Sequence, residues 1–133
     1  MSIKLTSAQA KALGVTAKGT RRTRGEMNRN ESAYAEHLRL LTHAGEVVWF
    51  AFEAIKLRLA DNTTLTVDFV VMLRDGTIEF VDVKGYKKKA NGDPGYWALE
   101  DSKIKLKIAA EMFPFVFRVV FQDKQKTWHS VEI

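Results

Sequence analysis

Four residues have the types and placement to hold a divalent cation next to a phosphate: Glu31, Asp68, Asp82 and Lys84. Residues 77–84 read as a strand, and side chains alternate between the faces of a strand, so Ile78, Phe80, Asp82 and Lys84 share one face while Thr77, Glu79, Val81 and Val83 share the other. A carboxylate and an ammonium aimed the same way beside Phe80 and Ile78 make a partly covered polar site, although the same pattern also fits an ion pair at a strand end. Glu79 faces away and is not a candidate. Asp68 lies in the run Leu65-Thr66-Val67-Asp68-Phe69-Val70-Val71-Met72-Leu73, which is apolar on both faces and reads as a central strand. An acid there carries a large desolvation cost unless it is paired or metal-bound. Two or three hard oxygen ligands with water positions left open suit Mg²⁺, or Mn²⁺ in its place, and let a phosphate complete the shell. Backbone amides or Lys84 would satisfy a buried Asp68 equally well without an ion.

Glu31 stands at helical spacing from Tyr34, Ala35 and Leu38, which places it on the inward face of a helix. Asn28 three residues earlier makes a capping box an equally good account of it. On a second helix, Ile104, Ile108 and Met112 form a stripe that Leu106, Ala110 and Phe113 widen into an apolar arc. Lys105 falls within the arc as a candidate phosphate contact, or as a stem that reaches to the rim. Lys103 and Lys107 lie together on the polar side, groove-facing or merely solvated. His37, His43 and His129 have no metal-ligand spacing and read as surface or packing residues. No glycine-rich phosphate loop or nucleophile elbow is present, and nothing calls for an organic cofactor.

The elements that must position these groups can be read in order. Residues 1–27 are rich in Ala, Thr, Gly and basic residues, with Lys18, Arg21, Arg22 and Arg24 clustered, and read as a basic arm with a short helix possible over residues 7–13. Residues 28–133 are expected to form one domain: a helix over 30–42, extended chain over 47–59, and strands over 63–73 and 77–84 joined at the hairpin signal Asp75-Gly76. An exposed loop with turn chemistry over 87–95 carries Lys87, Lys88 and Lys89, and Tyr96-Trp97 beside it offers rings on which bases could stack. A helix over 99–112 and strands over 115–121 and 127–133 complete an α/β fold, a mixed sheet flanked by helices.

At 133 residues the chain has room for one substantial core, so core and site must share it. Cysteine is absent, which excludes disulfides, thiolate metal sites and cysteine nucleophiles. No apolar run is long enough for a membrane span and no signal-peptide hydrophobic region opens the sequence, so a cytoplasmic protein is expected. The formal charge of +5 and pI near 9.5 favour polyanionic partners.

The ordered set Val67-Asp68, then Asp82-Val83-Lys84-Gly85 across a hairpin, resembles the signature of the PD-(D/E)xK nuclease superfamily, and Glu31 in Asn30-Glu31-Ser32-Ala33-Tyr34-Ala35 is similar to the glutamate its members carry on the helix before the sheet. More narrowly, residues 52–60 and the segment from Ile104-Lys105-Leu106-Lys107 through Phe113-Pro114 resemble small bacteriophage and prophage proteins of that type. The likeness runs from about residue 28 to 121 and leaves the arm uncovered; Val67 stands where the superfamily usually has proline. The resemblance implies a restriction-endonuclease-like fold and a metal-dependent DNA endonuclease, in a bacterial or phage-infected cell. Glu31, Asp68 and Asp82 would hold one or two Mg²⁺ ions with the Val83 carbonyl as a further ligand, and Lys84 would orient the attacking water or stabilise the transition state. Lys87, Lys88, Lys89, Lys103, Lys105, Lys107 and Arg21, Arg22 and Arg24 would bind DNA. Small basic members resemble Holliday-junction resolvases, often homodimers, which points to branched DNA. Nicking, site-specific cutting, a non-catalytic DNA-binding protein on the same fold and an RNA-binding domain are the alternatives.

Overall fold

In the computed structural model, which describes residues 25–133, helix α1 (Arg29–His43) begins at a reciprocal cap. Asn28 Oδ1 accepts from the Glu31 backbone N–H at 2.7 Å, and Glu31 Oε1 accepts from the Asn28 N–H at 2.8 Å, so two donors that the first turn leaves unpaired are both satisfied. Tyr34, Ala35 and Leu38 make its buried stripe. The chain turns out of the helix through Gly45 at φ +83°, a conformation that costs glycine little. Arg21, Arg22 and Arg24, the expected helix over residues 7–13 and most of the arm lie outside the described residues.

Nine strands and a second helix follow: β1 (Val47–Phe52), β2 (Lys56–Ala60), β3 (Thr63–Thr66), β4 (Phe69–Leu73), β5 (Ile78–Val83), β6 (Tyr86–Lys88), β7 (Pro94–Tyr96), α2 (Glu100–Met112), β8 (Val116–Gln122) and β9 (Trp128–Glu132). Five strands form a mixed sheet in the order β1-β4-β5-β8-β9, in which only β5 and β8 run parallel. A parallel pair needs a long crossover, and the segment carrying β6, β7 and α2 supplies it. Strands β2 with β3 and β6 with β7 form two separate antiparallel hairpins.

The sheet is covered on both faces. On one face Phe69, Val71, Val81 and Val83 pack with Tyr34, Ala35 and Leu38 of α1; on the other Val70, Phe80, Phe117 and Val119 pack with Leu106 and Ala109 of α2 and with Leu57 and Leu59 of β2. Strict alternation along β4 and β5 sorts residues between the two clusters, and each fully buried phenylalanine or valine adds roughly 1.5–3 kcal/mol. The architecture is therefore α/β, with a mixed five-stranded sheet between two helices. No helix among the described residues is long and apolar enough to cross a membrane.

Four expectations about elements change. The strand expected over residues 63–73 is two strands, because the chain leaves the β2–β3 hairpin at Val67 and enters the main sheet at Phe69. Extended chain over 47–59 is likewise broken after Phe52, where Glu53 takes φ +48°. The loop expected over 87–95 is a short hairpin turned by Gly92 at φ +91°. On α2 the stripe Ile104, Ile108 and Met112 faces outward, with Ile104 54% and Met112 51% exposed. The buried face is Leu106 and Ala109 flanked by Ala110 and Phe113, since these are the positions that meet β2, β3 and β8.

Candidate active site

Asp68 reaches its place through its backbone. The Glu53 N–H donates to the Asp68 carbonyl at 2.8 Å and the Val67 N–H to the Ile55 carbonyl at 3.3 Å, so the corner between β1 and β2 holds the break between β3 and β4. Regular pairing of β4 with β5 extends to Phe69 opposite Val81. One step further along the same register, Asp68 stands opposite Asp82. Beyond that point β5 has no backbone partner on the β4 side, and the Val83 N–H donates instead to Asp68 Oδ2 at 2.8 Å. A strand residue's N–H and C=O point to the same neighbour, so the Val83 carbonyl is also directed to the Asp68 side.

Asp82 and Lys84 do share a face. Lys84 Nζ lies 2.7 Å from Asp82 Oδ2 and donates to Ser102 Oγ of α2 at 2.9 Å. Asp82 is only 7% exposed, and its Oδ2 takes no hydrogen bond: the ammonium is at ion-pair distance but off the direction a hydrogen bond requires. A buried carboxylate oxygen with an unused lone pair is the kind of atom a cation would satisfy.

Burial, and after it the facing acid, change the chemistry of Asp68. Burial pushes the Asp68 carboxyl up to about 9; the facing charge of Asp82 and a proton bridging toward it add to the rise, the Val83 N–H opposes it, and the charge of Glu31 raises it further. Without a cation, the pair is thus driven to retain a proton. Glu31 is 4% exposed and lies near enough for its charge to be felt at Asp68, while its Oε1 serves the α1 cap. Each quieter role open to these residues is realised, namely cap, backbone-satisfied aspartate and ion pair, and yet Asp68 and Asp82 meet, with the charge of Glu31 felt at Asp68.

Among the described residues no group of three or more Asp, Glu, His or Cys side chains closes around one ion position. What converges is two carboxylates and a backbone carbonyl, with a half-buried lysine alongside. That donor set suits Mg²⁺, which binds one or two protein carboxylates and keeps several waters.

The basic residues divide. A cavity of about 340 Å³ beside Lys84 has Leu106, Val119, Tyr96 and Ala98 in its walls and includes Lys103 and Lys107, which are exposed. A second concavity of about 460 Å³ shares Tyr96 and Lys103 with it and adds Lys87 and Lys89 of the β6–β7 hairpin. Lys105 is half-buried and belongs to neither, and Lys88 is exposed outside both. On α2 it is therefore Lys103 and Lys107 that border the concavities, not the lysine that lay in the expected apolar arc. Lys87 also sits 4.2 Å over the exposed Trp97 ring, a cation–π contact. Sequence reasoning missed Ser102 and the part Tyr96 plays in the cavity wall. The first carried no signal beyond its place in the first turn of α2.

Of the histidines, His129 binds Asp123 Oδ2 at 2.8 Å and stacks on Phe121, and His37 lies against Tyr34 and Trp128. Compared with known proteins, the chain matches no family model, no curated protein and no solved structure.

Proposed function

We propose that the protein is a Mg²⁺-dependent DNA endonuclease that hydrolyses phosphodiester bonds, with branched DNA, four-way junctions included, as its preferred substrate. The observation that carries the reading is the meeting of Asp68, in the break just before β4, with Asp82 of the adjacent β5, with Lys84 2.7 Å from Asp82 Oδ2 and that oxygen otherwise unbonded. The element order of helix, antiparallel strands carrying the acids, helix and a parallel strand supports a restriction-endonuclease-like fold, in line with the PD-(D/E)xK resemblance. Bound at Asp68, Asp82 and the Val83 carbonyl, Mg²⁺ or Mn²⁺ would lower the pKa of a water and offset charge developing on the phosphate.

The chain's own residues do the rest. An ammonium has three donors; Lys84 gives one to Ser102 and lies at ion-pair distance from Asp82 without hydrogen-bonding its Oδ2, which leaves a donor for the attacking water or a non-bridging phosphate oxygen. Ser102 thereby fixes the stem on which the charge rides. Lys103, Lys107, Lys87 and Lys89 bind flanking phosphates along the two concavities, and the net charge of +5 draws DNA in. Glu31 contributes a negative charge that strengthens cation binding at Asp68.

The test is incubation of a synthetic four-way junction and a linear duplex of the same arms, with Mg²⁺ and with chelator. Mg²⁺-dependent cutting at least about tenfold faster on the junction is expected. No cutting of either DNA with Mg²⁺ or Mn²⁺ would leave a non-catalytic DNA-binding protein; equal cutting of both would remove the substrate preference alone.

Glu31→Gln separates the two roles of that residue. Glutamine keeps the capping box, so unfolding free energy should stay within about 1 kcal/mol of the wild type. Cleavage should nevertheless fall about 10–100-fold through weakened metal affinity. Unchanged cleavage at subsaturating Mg²⁺ would assign Glu31 to the cap and nothing more.

A further inference from the structure

We infer that the cavity beside Lys84 receives an unstacked nucleobase, so that the preferred DNA carries an unpaired nucleotide next to the phosphate that is cut. The inference deepens the nuclease reading and rests on it for where the scissile phosphate lies.

Shape and charge both point to such an occupant. At about 340 Å³ the cavity falls within the range of ligand clefts, and a cavity of about 150 Å³ already accepts benzene, so a bicyclic purine has room. Buried Leu106 and Val119 form an apolar floor, and the half-buried Tyr96 ring, held against Phe121 with centroids 5.7 Å apart, gives a fixed aromatic wall. Apolar floor and ring match the faces of a base; they offer nothing to a phosphate. Lys84, Lys103 and Lys107 around the same cavity match the phosphates on either side of that base. A free apolar ligand would have no use for three ammonium groups, and a stacked, fully paired base could not enter. Lys84 belongs both to this cavity and to the acid site, so a base seated here places its own or the adjacent phosphodiester beside Asp82. The strand continues along the concavity lined by Lys103, Lys87 and Lys89.

The experiment compares duplexes with a single-nucleotide bulge, with the same bulge made abasic, and fully paired, by fluorescence anisotropy in chelator. The abasic bulge keeps the phosphates and the flexibility and deletes only the base. Wild-type protein should bind the base-containing bulge about tenfold more tightly than the abasic one, as expected for one stacked base. Ala98→Trp, which fills the cavity from its wall, should bring that ratio to about one, with folding checked by circular dichroism; Ile133→Trp at the exposed edge serves the same purpose if the first variant does not fold. Equal affinity of the wild type for both bulges would overturn the inference, as would an undiminished ratio in a folded cavity-filling variant. None of these measurements uses cleavage. A preserved ratio in wild type without Mg²⁺-dependent cutting would sink the nuclease reading alone, whereas cutting with no ratio would sink the base pocket alone.

Discussion

Asp82→Asn should reduce Mg²⁺-dependent cleavage by about 10³-fold or more, and Lys84→Ala by roughly 10²–10³-fold, while DNA affinity stays within a few-fold of the wild type. The asparagine is nearly isosteric, so the strand and its neighbours are kept, yet the amide cannot supply the anionic oxygen that now takes no hydrogen bond. The lysine change removes the positive charge 2.7 Å from that oxygen and strips Ser102 of its partner. Because Asp82 would be left buried without a counter-charge, Lys84→Ala is expected to lose stability, by up to about 3 kcal/mol. Lys84→Arg keeps the charge and separates lost stability from lost chemistry. Single-turnover cleavage with saturating DNA measures the effect; wild-type rates in Asp82→Asn or in Lys84→Ala would remove the proposed site.

Metal binding should expel about one proton per ion at neutral pH. With the Asp68 carboxyl raised to about 9 by burial and by Asp82, the metal-free pair holds a proton that a cation must displace. Mn²⁺ affinity is therefore expected to rise with pH by up to about tenfold per unit between the ordinary carboxylate range and pH 9, then level off. Calorimetric titration in two buffers of different ionisation heat counts the protons; none released at pH 7 would contradict the coupled pair. The stability of the metal-free protein should move the other way. A carboxyl whose folded pKa lies above its unfolded value binds more protons when folded, so its contribution is fully present below about pH 4 and is lost as pH rises toward 9. Asp68→Asn cannot lose a proton and should abolish that slope, visible as a wild-type minus variant difference in urea midpoints across this window.

How far the sequence disclosed the site depended on whether a local period governed each residue. Asp82 and Lys84 were legible because β5 is a regular strand and a period of two fixes their common face. Asp68 was legible as an acid too costly to bury unpartnered. Its actual position at a break was not, because the break is held by the Glu53 N–H and by Ile55, contacts that no local pattern encodes. The cap and site accounts of Glu31 could not be separated because the side chain that closes the cap also makes its charge felt at Asp68. On α2 the apolar residues cover too much of the circumference for periodicity to choose a buried face; packing against β2 and β8 chose Leu106 and Ala109, which turned Lys103 and Lys107 toward the cavity and left Lys105 aside. Strands β6 and β7 span three residues each and are rich in lysine, glycine and proline, so their pairing was hidden behind loop chemistry.

Asp68 and Asp82 meet at the open end of the hairpin that Asp75-Gly76 closes, with Glu53 holding the Asp68 backbone, whereas the hydroxyl that steadies Lys84 arrives on α2 from the far side of a crossover. A local opening that lifts α2 from the sheet would slacken the amine and leave the acids facing each other. Under the proposed function, such an opened form would take up a cation yet be idle toward phosphate, and its population would be governed by the free energy with which one helix docks.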